Sequence, residues 1–235
     1  MTYPSHVLKG VTLGVFCVVA AGLFSCMRQN VAVPASFLLK KGSIGLVWSC
    51  EKEKGTFMRS GETGLMPMLV NNVIAGSLPA KVESISLAPL VDQHFLNRFG
   101  NSMSEKSFQA NMVRVPLDKK DLKNFKGTDK QFWLDFSEFK TKHNMDYVIY
   151  LDTKAFGTMQ SYFDVIPTSK PRGYIQFDIY VVDTATNAIV GEYHDTKSVD
   201  PIDKWDNPPE YPEVVQTIEE AVKSSFESAY AALFK

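Results

Sequence analysis

Neither sign of charge is in excess in this chain. Its 235 residues carry 25 lysines and arginines against 26 aspartates and glutamates, for a formal net charge of −1. A balance this close to neutral creates no long-range field that would attract nucleic acid. With 45% apolar and 22% charged residues, the chain instead has the composition of a globular protein. The sequence therefore predicts a folded protein with no nucleic-acid partner.

The sequence also lacks the short motifs that carry common chemistry. It contains no G-x-S-x-G, no H-E-x-x-H, no C-x-x-C and no G-x-x-x-x-G-K-[ST]. These absences argue against a serine hydrolase elbow, a zinc site of standard spacing and a phosphate-binding loop. We therefore expect no metal, no cofactor and no enzymatic activity. A hydrolase remains the alternative, because two catalytic carboxylates can be brought together from distant parts of a chain.

Cysteine is scarce, and two of the three cysteines lie at the N-terminus, in or beside an uncharged run from Val11 to Ser25. Lys9 precedes this run, and small residues lie near its end. This arrangement is typical of a secretory signal peptide, here residues 1–25. The run is shorter than the roughly 20 residues that cross a bilayer, so an uncleaved anchor in the inner membrane is a second interpretation. A buried helix is a third.

The residues Leu23-Phe24-Ser25-Cys26 resemble the lipobox of bacterial lipoproteins. The resemblance implies that the Cys26 thiol receives a diacylglyceryl group, that the signal is cut before it, and that the new amino terminus is acylated, for example with palmitate. Two or more acyl chains anchor a protein stably, whereas one does so only marginally. Met27, which follows the cysteine, implies sorting to the outer membrane, facing the periplasm. The membrane is then one partner, reached through the lipid anchor.

The rest of the chain divides into a tether and a domain. Residues 26–42 begin with polar positions and contain Pro34, so we predict a lipidated tether. Residues 43–235 are long enough for a single periplasmic domain with its own core. Cleavage before Cys26 would leave Cys50 as the last thiol, so no internal disulfide is expected. Since no histidine lies near Cys50 in the sequence, we interpret it as an inert residue at a strand end.

Hydrophobic spacing predicts alternating strands and helices in the first part of the domain. An apolar run with β-branched and aromatic members favours a strand, and apolar residues three and four apart favour a helix. The predicted elements are a strand at Ser43–Trp48, helices at Leu65–Leu78 and around Leu87–Gly100, and a strand at Phe108–Leu117. The second helical stretch contains Pro89, so it is either one helix bent at this proline or two shorter helices. A further helix opens at Thr128 and carries Phe132, Trp133, Phe136 and Phe139 on one side.

The second half of the domain predicts three strands and a final helix. Tyr147–Tyr162 is the first strand, and the next two flank the turn residues Asp183–Asn187, which favour an antiparallel hairpin. A long apolar stripe from Val214 to Leu233 predicts the helix. The fold class is therefore an α/β (α+β) sandwich, in which a mixed sheet with a C-terminal antiparallel meander carries packed helices.

This order of elements, with its strand–"DTATN"–strand hairpin and final amphipathic helix, is similar to a group of bacterial envelope lipoprotein domains. The group includes the penicillin-binding-protein activator LpoB, the periplasmic part of the curli secretion channel CsgG, and the N-terminal domain of TolB. The resemblance covers roughly Ser43 to Lys235. It implies a domain that binds an envelope protein or a peptidoglycan-associated partner, as an activator or as a component of an assembly. The resemblance to CsgG also allows a homo-oligomer.

Two stretches rich in aromatic and turn residues are candidates for partner contact. Tyr162, Phe163 and Ile166 lie in the connection between two predicted strands, and Trp205 and Tyr211 lie in a proline-rich connection before the last helix. Exposed aromatic clusters tend to anchor interfaces. The same side chains can also pack on their own domain, and the sequence leaves both interpretations open.

Overall fold

A mixed β-sheet forms the centre of the fold. The computed structural model describes residues 29–39, 42–61, 75–105, 109–111, 122–128, 130–202 and 204–234. The strands are β1 (Ser43–Cys50), β2 (Thr56–Ser60), β3 (Gln109–Asn111), β4 (Tyr147–Phe163), β5 (Ile166–Pro167), β6 (Arg172–Asp183) and β7 (Ile189–Val199). Their order is β3-β1-β4-β6-β7, with β2 and β5 also pairing with β4. β1 pairs in parallel with both β3 and β4, and β2 also pairs in parallel with β4. The pairings of β4 with β6 and of β6 with β7 are antiparallel.

Helices cover one face of this sheet. The covering helices are α2 (Leu78–Glu83), α3 (Leu87–Leu90), a π-helical turn (Val91–Leu96), α4 (Asn97–Glu105) and α6 (Pro212–Leu233). Two further short helices are α1 (Ala35–Leu38) and α5 (Ser137–His143). On this helical face, Phe177 of β6 meets Phe226 of α6 with ring centroids 5.2 Å apart. Gly173 allows the close approach, since a Cβ there would lie 2.0 Å from the Thr217 carbonyl oxygen. These layers confirm the predicted mixed sheet with helices packed on it.

The helix around Leu87–Gly100 is one continuous segment rather than two helices. Pro89 lies in its first turn, where the missing N–H has no intrahelical partner to lose. The irregularity lies further on, in the π-helical turn, which is followed without a break by α4. Phe95 and Phe99 remain on the buried side, with ring centroids 4.7 Å apart. The predicted apolar spacing is therefore confirmed, although the bend at Pro89 is not.

The opposite face of the sheet, which we call the loop face, is covered by residues 130–143. Phe132, Phe136 and Phe139 are buried there against Val148 and Tyr150 of β4. The predicted helix from Thr128 is wrong for Thr128 and residues 130–136, because the helix begins only at Ser137.

Asn187 gives the physical reason for this difference. Its Nδ2 donates hydrogen bonds to the carbonyl oxygens of Phe132 (2.7 Å) and Leu134 (2.9 Å), and its Oδ1 accepts one from the Phe136 N–H (3.1 Å). These backbone groups therefore bond to a side chain of the distant hairpin rather than to one another.

The C-terminal hairpin and the final helix agree with the sequence prediction. Asp183 Oδ1 accepts hydrogen bonds from the Ala185 and Thr186 N–H groups, at 2.9 and 3.1 Å, which closes the turn between β6 and β7. Asn187 ends the turn with a positive φ of 56°, a conformation that asparagine tolerates better than most residues. Beside this turn, Lys140 and the Ser43 N–H hold the pKa of Asp146 below its ordinary value.

Residues 29–39, which fall within the predicted tether of residues 26–42, pack on the domain. Val31 exchanges two backbone hydrogen bonds with Glu192 of β7, at 2.8 and 2.9 Å, and the Val33 N–H donates to the Leu233 carbonyl oxygen (3.0 Å). Val33 and Phe37 are buried in the core. Apolar side chains thus draw this segment onto the edge of the sheet. The predicted signal peptide, residues 1–25, and the predicted lipidation site Cys26, with Met27, lie outside the described residues.

Most of the predicted helix at Leu65–Leu78 and the end of the predicted strand at Phe108–Leu117 also lie outside the described residues. The described part of that strand, β3, pairs in parallel with β1. Within the described parts of the chain, we find no helix long and apolar enough to cross a membrane.

Replacing Asn187 by glycine should lower the free energy of unfolding by about 2–4 kcal/mol, since buried backbone groups would lose their partners while the positive φ stays accessible. Urea denaturation of the purified domain measures this change. Asn144→Gly is the matched control, because Asn144 also has a positive φ (52°) but is exposed at the end of α5. Equal effects of the two substitutions would contradict the proposed role of the Asn187 side chain.

Candidate functional site

The two stretches predicted to contact a partner lie at the same end of the sheet. β4 and β6 form a long hairpin, and the proline-rich connection begins where β7 ends, opposite Gly173 of β6. A salt bridge between Arg172 and Asp200, with Nε and Oδ1 2.9 Å apart, joins the two regions. We call this region, made of residues 160–172 and 200–216, the sheet end.

The tip of the hairpin presents two apolar side chains to solvent. β4 runs past the last residue paired with β6 and turns through Asp164 and Val165 into the short β5, which places Phe163 directly opposite Ile166. These two side chains are 75% and 60% exposed. Tyr162, one residue earlier, points to the other side and is buried, donating a hydrogen bond to Gln160 Oε1 (2.9 Å). The alternation of side chains along a strand explains the difference.

In the proline-rich connection the aromatic side chains face inward. Tyr211 is buried and its hydroxyl lies 3.0 Å from the Ser77 hydroxyl, while Trp205 is half-buried against the core. Around them lie two shallow clefts on either side of Pro212, of about 380 and 570 Å³. Lys81 and Glu210 meet at the wider one, with Nζ and Oε2 2.7 Å apart, and this contact lowers the pKa of Glu210. The exposed members of the predicted set are therefore Phe163 and Ile166.

A row of polar side chains crosses the loop face of the sheet. Ser49, Asp152, Asp178 and His194 stand on β1, β4, β6 and β7, each directly opposite the next in the strand register. Asp152 is fully buried, and Asp178 and His194 are largely buried. We call these four residues, with Lys154, the polar row.

Each member of the polar row has a partner within the fold. Lys154 Nζ forms an ion pair with Asp152 and lies 3.7 Å from Asp178 Oδ2. His194 Nδ1 lies 2.7 Å from Asp178 Oδ1. Beyond the row, His194 Nε2 lies 3.3 Å from Glu192 Oε2.

At the other end of the polar row, Ser49 Oγ lies 2.5 Å from the Tyr150 hydroxyl. Burial first, and then the charge of Asp152, raises the pKa of Tyr150, so the phenol stays protonated at neutral pH.

This row bears on the alternative of a hydrolase, because it brings two carboxylates together on adjacent strands. Lys154 supplies the counter-charge for both, and Asp152 has no access to solvent. A glycosidase needs one carboxyl group to donate a proton and the other to reach the sugar or a water molecule. Among the described residues, no group of acidic, histidine or cysteine side chains has a geometry that could hold a metal ion. The arrangement is that of a buried structural ion network.

The sequence analysis did not find the row. Counting back from the hairpin turn at Asp183–Asn187 would pair Asp178 with Tyr193, and the irregularity between Val181 and Val182 in the pairing of β6 with β7 shifts its partner to His194. The contacts of Ser49 and Asp152 depend on a parallel strand pairing across about a hundred residues, for which no local signal exists.

A further groove, of about 370 Å³, lies between α4 and α6. Asn97 and Arg98 line one side, and Lys223 and Glu227 line the other. Burial lowers the pKa of His94 at its edge. Charges of both signs line this groove, so it favours no particular class of ligand.

Replacing Lys154 by methionine should lower the free energy of unfolding by about 3 kcal/mol, because Asp152 would be left as a buried charge without its cation. Adding Asp152→Asn to that variant should recover most of the loss, as measured by urea denaturation. Lys142→Met is the control, since Lys142 pairs with Glu138 at the surface and should contribute less than about 1 kcal/mol. A Lys154→Met effect as small as the control would contradict the role assigned to the ion network.

The geometry defines an α/β domain with a mixed sheet, an internally paired polar row and an apolar hairpin tip. No family model and no curated protein sequence matches the chain. Among solved structures, a Xanthomonas campestris protein of the family DUF330 is similar, with 9% identity, coverage of 87% of this chain and 92% of its own, and a TM-score of 0.46.

Two other solved structures are similar to this chain over more than three quarters of its length. A lipoprotein from Neisseria meningitidis is 12% identical and covers 77% of this chain and 99% of its own, with a TM-score of 0.27. The C-terminal domain of LpoB from Salmonella enterica is 10% identical and covers 78% and 93%, with a TM-score of 0.19. Identities and TM-scores this low do not establish a common function.

Proposed function

We propose that this chain is a lipid-anchored bacterial envelope protein, held by Cys26 at the outer membrane and facing the periplasm. Its domain acts without catalysis, by binding an envelope protein or a cell-wall component through the sheet end. The observation that carries this proposal is the contrast between two surfaces. The polar row is occupied by its own ion pairs, whereas large apolar side chains are exposed at the sheet end.

The exposed apolar side chains of the sheet end support a role in binding a partner. Phe163 and Ile166 project together from the hairpin tip, and Ile202, in the connection after β7, is 82% exposed. Clustered apolar side chains with this much exposure are typical of interaction surfaces, because contact with a partner removes them from water. The clefts beside Pro212 add a concave surface with charges of both signs in the same region. A second copy of the chain is one partner that this surface admits.

Anchoring at the membrane makes binding through the sheet end effective. A protein confined to a membrane meets other envelope components at a high effective concentration, so a modest interface is enough. The described N-terminal segment supports a direct mechanical link, because Val31 and Val33 fasten it to the domain by backbone hydrogen bonds. Two acyl chains at Cys26 would make the attachment stable.

Intact mass of the membrane-extracted protein tests the anchor. Wild type should give the mass of residues 26–235 plus acyl groups, and Cys26→Ser should lack both the acylation and the cleavage. Cys50→Ser is the control and should behave as wild type. A full-length, unmodified mass for wild type would contradict the lipoprotein assignment and favour an uncleaved anchor.

Site-specific photocrosslinking in whole cells tests the contact surface. A photoreactive residue at Gln216, which lines the wider cleft, should capture an envelope partner, and one at exposed Leu39 should not, because Leu39 lies beside α1 at the opposite end of the sheet. A product of twice the protomer mass would identify a second copy as the partner. Capture from Leu39 alone, or equally from both positions, would contradict the assignment of the sheet end.

A further inference from the structure

We propose that the hairpin tip is a second membrane contact, at which Phe163 and Ile166 enter the lipid interface beside the acylated N-terminus. This inference rests on the proposed anchoring at Cys26. It narrows the role of the tip within the proposed function, so that the tip meets lipid and the clefts beside Pro212 remain for the partner.

The first argument is the direction in which the chain leaves the domain. Val31 pairs antiparallel with Glu192 at the edge of β7, and Asn30 Oδ1 accepts a hydrogen bond from the His194 N–H (2.7 Å). Going from Val31 back to Asn30 therefore moves along β7 from Glu192 towards its end at Val199. Since Val199 lies opposite Gly173, the path towards Cys26 heads for the sheet end.

The second argument is the short length of chain between Cys26 and the domain. Only four residue steps separate Cys26 from Asn30, and a fully extended chain covers at most about 14 Å over that length. His194 is level with Asp152 of β4, and from there the strand continues to Phe163 for about 30 Å, allowing for the irregularity between Thr153 and Ala155. The tip thus extends well past any position that Cys26 can occupy. An anchor this short holds the domain close to the bilayer.

The third argument is the nature of the surface on that side. Phe163, Ile166 and Ile202 are among the most exposed large apolar side chains of the described residues, and all three belong to the sheet end. A short connection to the anchor allows a limited set of domain orientations. The orientation that places the hairpin tip in the lipid interface removes this apolar surface from water. Leu39, with 86% exposure, lies at the far end and would stay in solvent.

The charges around the tip indicate which lipids it accepts. In residues 160–172 and 200–216, three cations (Lys170, Arg172 and Lys204) stand against six acidic residues, which are Asp164, Asp200, Asp203, Asp206, Glu210 and Glu213. A region with this excess of acidic groups has no net attraction for anionic headgroups. We therefore expect contact with zwitterionic bilayers, weaker contact with anionic ones, and no loss of contact at high salt.

Lipid quenching of a site-specific fluorophore tests the proposal on the full, acylated protein. Ile166→Cys and Leu39→Cys, each in a Cys50→Ala background, are labelled with an environment-sensitive dye and reconstituted into phosphatidylcholine vesicles that contain nitroxide-labelled phosphatidylcholine. Intact mass first confirms acylation at Cys26. The label at residue 166 should be quenched several-fold more than the label at residue 39, at low and high salt. Adding Phe163→Asp should reduce the quenching at residue 166.

Several results would overturn the proposal. Equal quenching at residues 166 and 39, or none at residue 166, would mean that the tip does not meet lipid. If the residue 166 label is unquenched on vesicles but a photoreactive group there captures an envelope protein in cells, the tip is a protein contact. The proposed function then survives without this inference. An unmodified Cys26 would overturn the anchoring and the inference together.

A measurement without substitutions guards against a label that perturbs the tip. Amide hydrogen exchange at residues 163–166 of the acylated wild-type protein should be slower on vesicles than in residues 26–235 produced without the predicted signal peptide, and therefore without acyl chains, in detergent-free solution. Residues 38 and 39 serve as the internal reference and should exchange equally in both. Equal exchange at 163–166 would argue against the membrane contact.

Discussion

The backbone pairing of β4 is the interaction on which the rest of the structure depends. This strand of 17 residues pairs in parallel with β1 and then β2 on one side, and antiparallel with β6 on the other. Because both edges of β4 are hydrogen-bonded, its first half can be buried on both faces, as the apolar run from Tyr147 to Leu151 requires. The helical face, the loop face and the projecting hairpin all take their positions from this strand.

The polar row and the apolar tip are two consequences of the same pairing. Side chains alternate along β4, so the register that buries Ile149 and Leu151 under the helices also places Asp152 among polar partners on the other face. A slip of one residue would exchange these faces and bury a charge without its cation. Further along, the strand outruns β6, and the alternation that buries Tyr162 exposes Phe163. Ion pairing and surface exposure are thus set by one register.

The N-terminal segment connects this architecture to the proposed role. Docking of Val31 on β7 leaves only a few residues between the domain and the proposed anchor at Cys26, fewer than the tether expected for residues 26–42. A connection this short would restrict the orientation of the domain above the bilayer. The proposed anchor and the sheet end would then lie on one side of the molecule. Binding, in this view, depends on which surface the membrane leaves accessible.

Local patterns in the sequence were sufficient for much of the fold. The strand at β1, the hairpin around Asp183–Asn187 and the long helix α6 were predictable because hydrophobic period and turn residues act over a few positions. The residues before Cys26 that resemble a lipobox are also a local pattern, and what they predict lies outside the described residues. The structure of residues 130–136 was not predictable from local patterns. Their aromatic spacing suits a helix, but the distant Asn187 takes the backbone hydrogen bonds that a helix would need.

The candidate site was likewise predictable in part from local sequence and in part only from the tertiary structure. That residues 162–166 and 205–211 could contact a partner followed from their composition, but which side chains are exposed depended on strand register and on packing against α6. Tyr162 and Tyr211 turned inward, and Phe163 and Ile166 turned outward. Within the polar row, Ser49 and Asp152 are 103 positions apart, and Val31 pairs with Glu192 of β7 across a still longer stretch of chain. The sequence by itself determined the elements and their apolar faces, whereas only the tertiary structure decided which surfaces meet, because long-range strand pairing leaves no local signature.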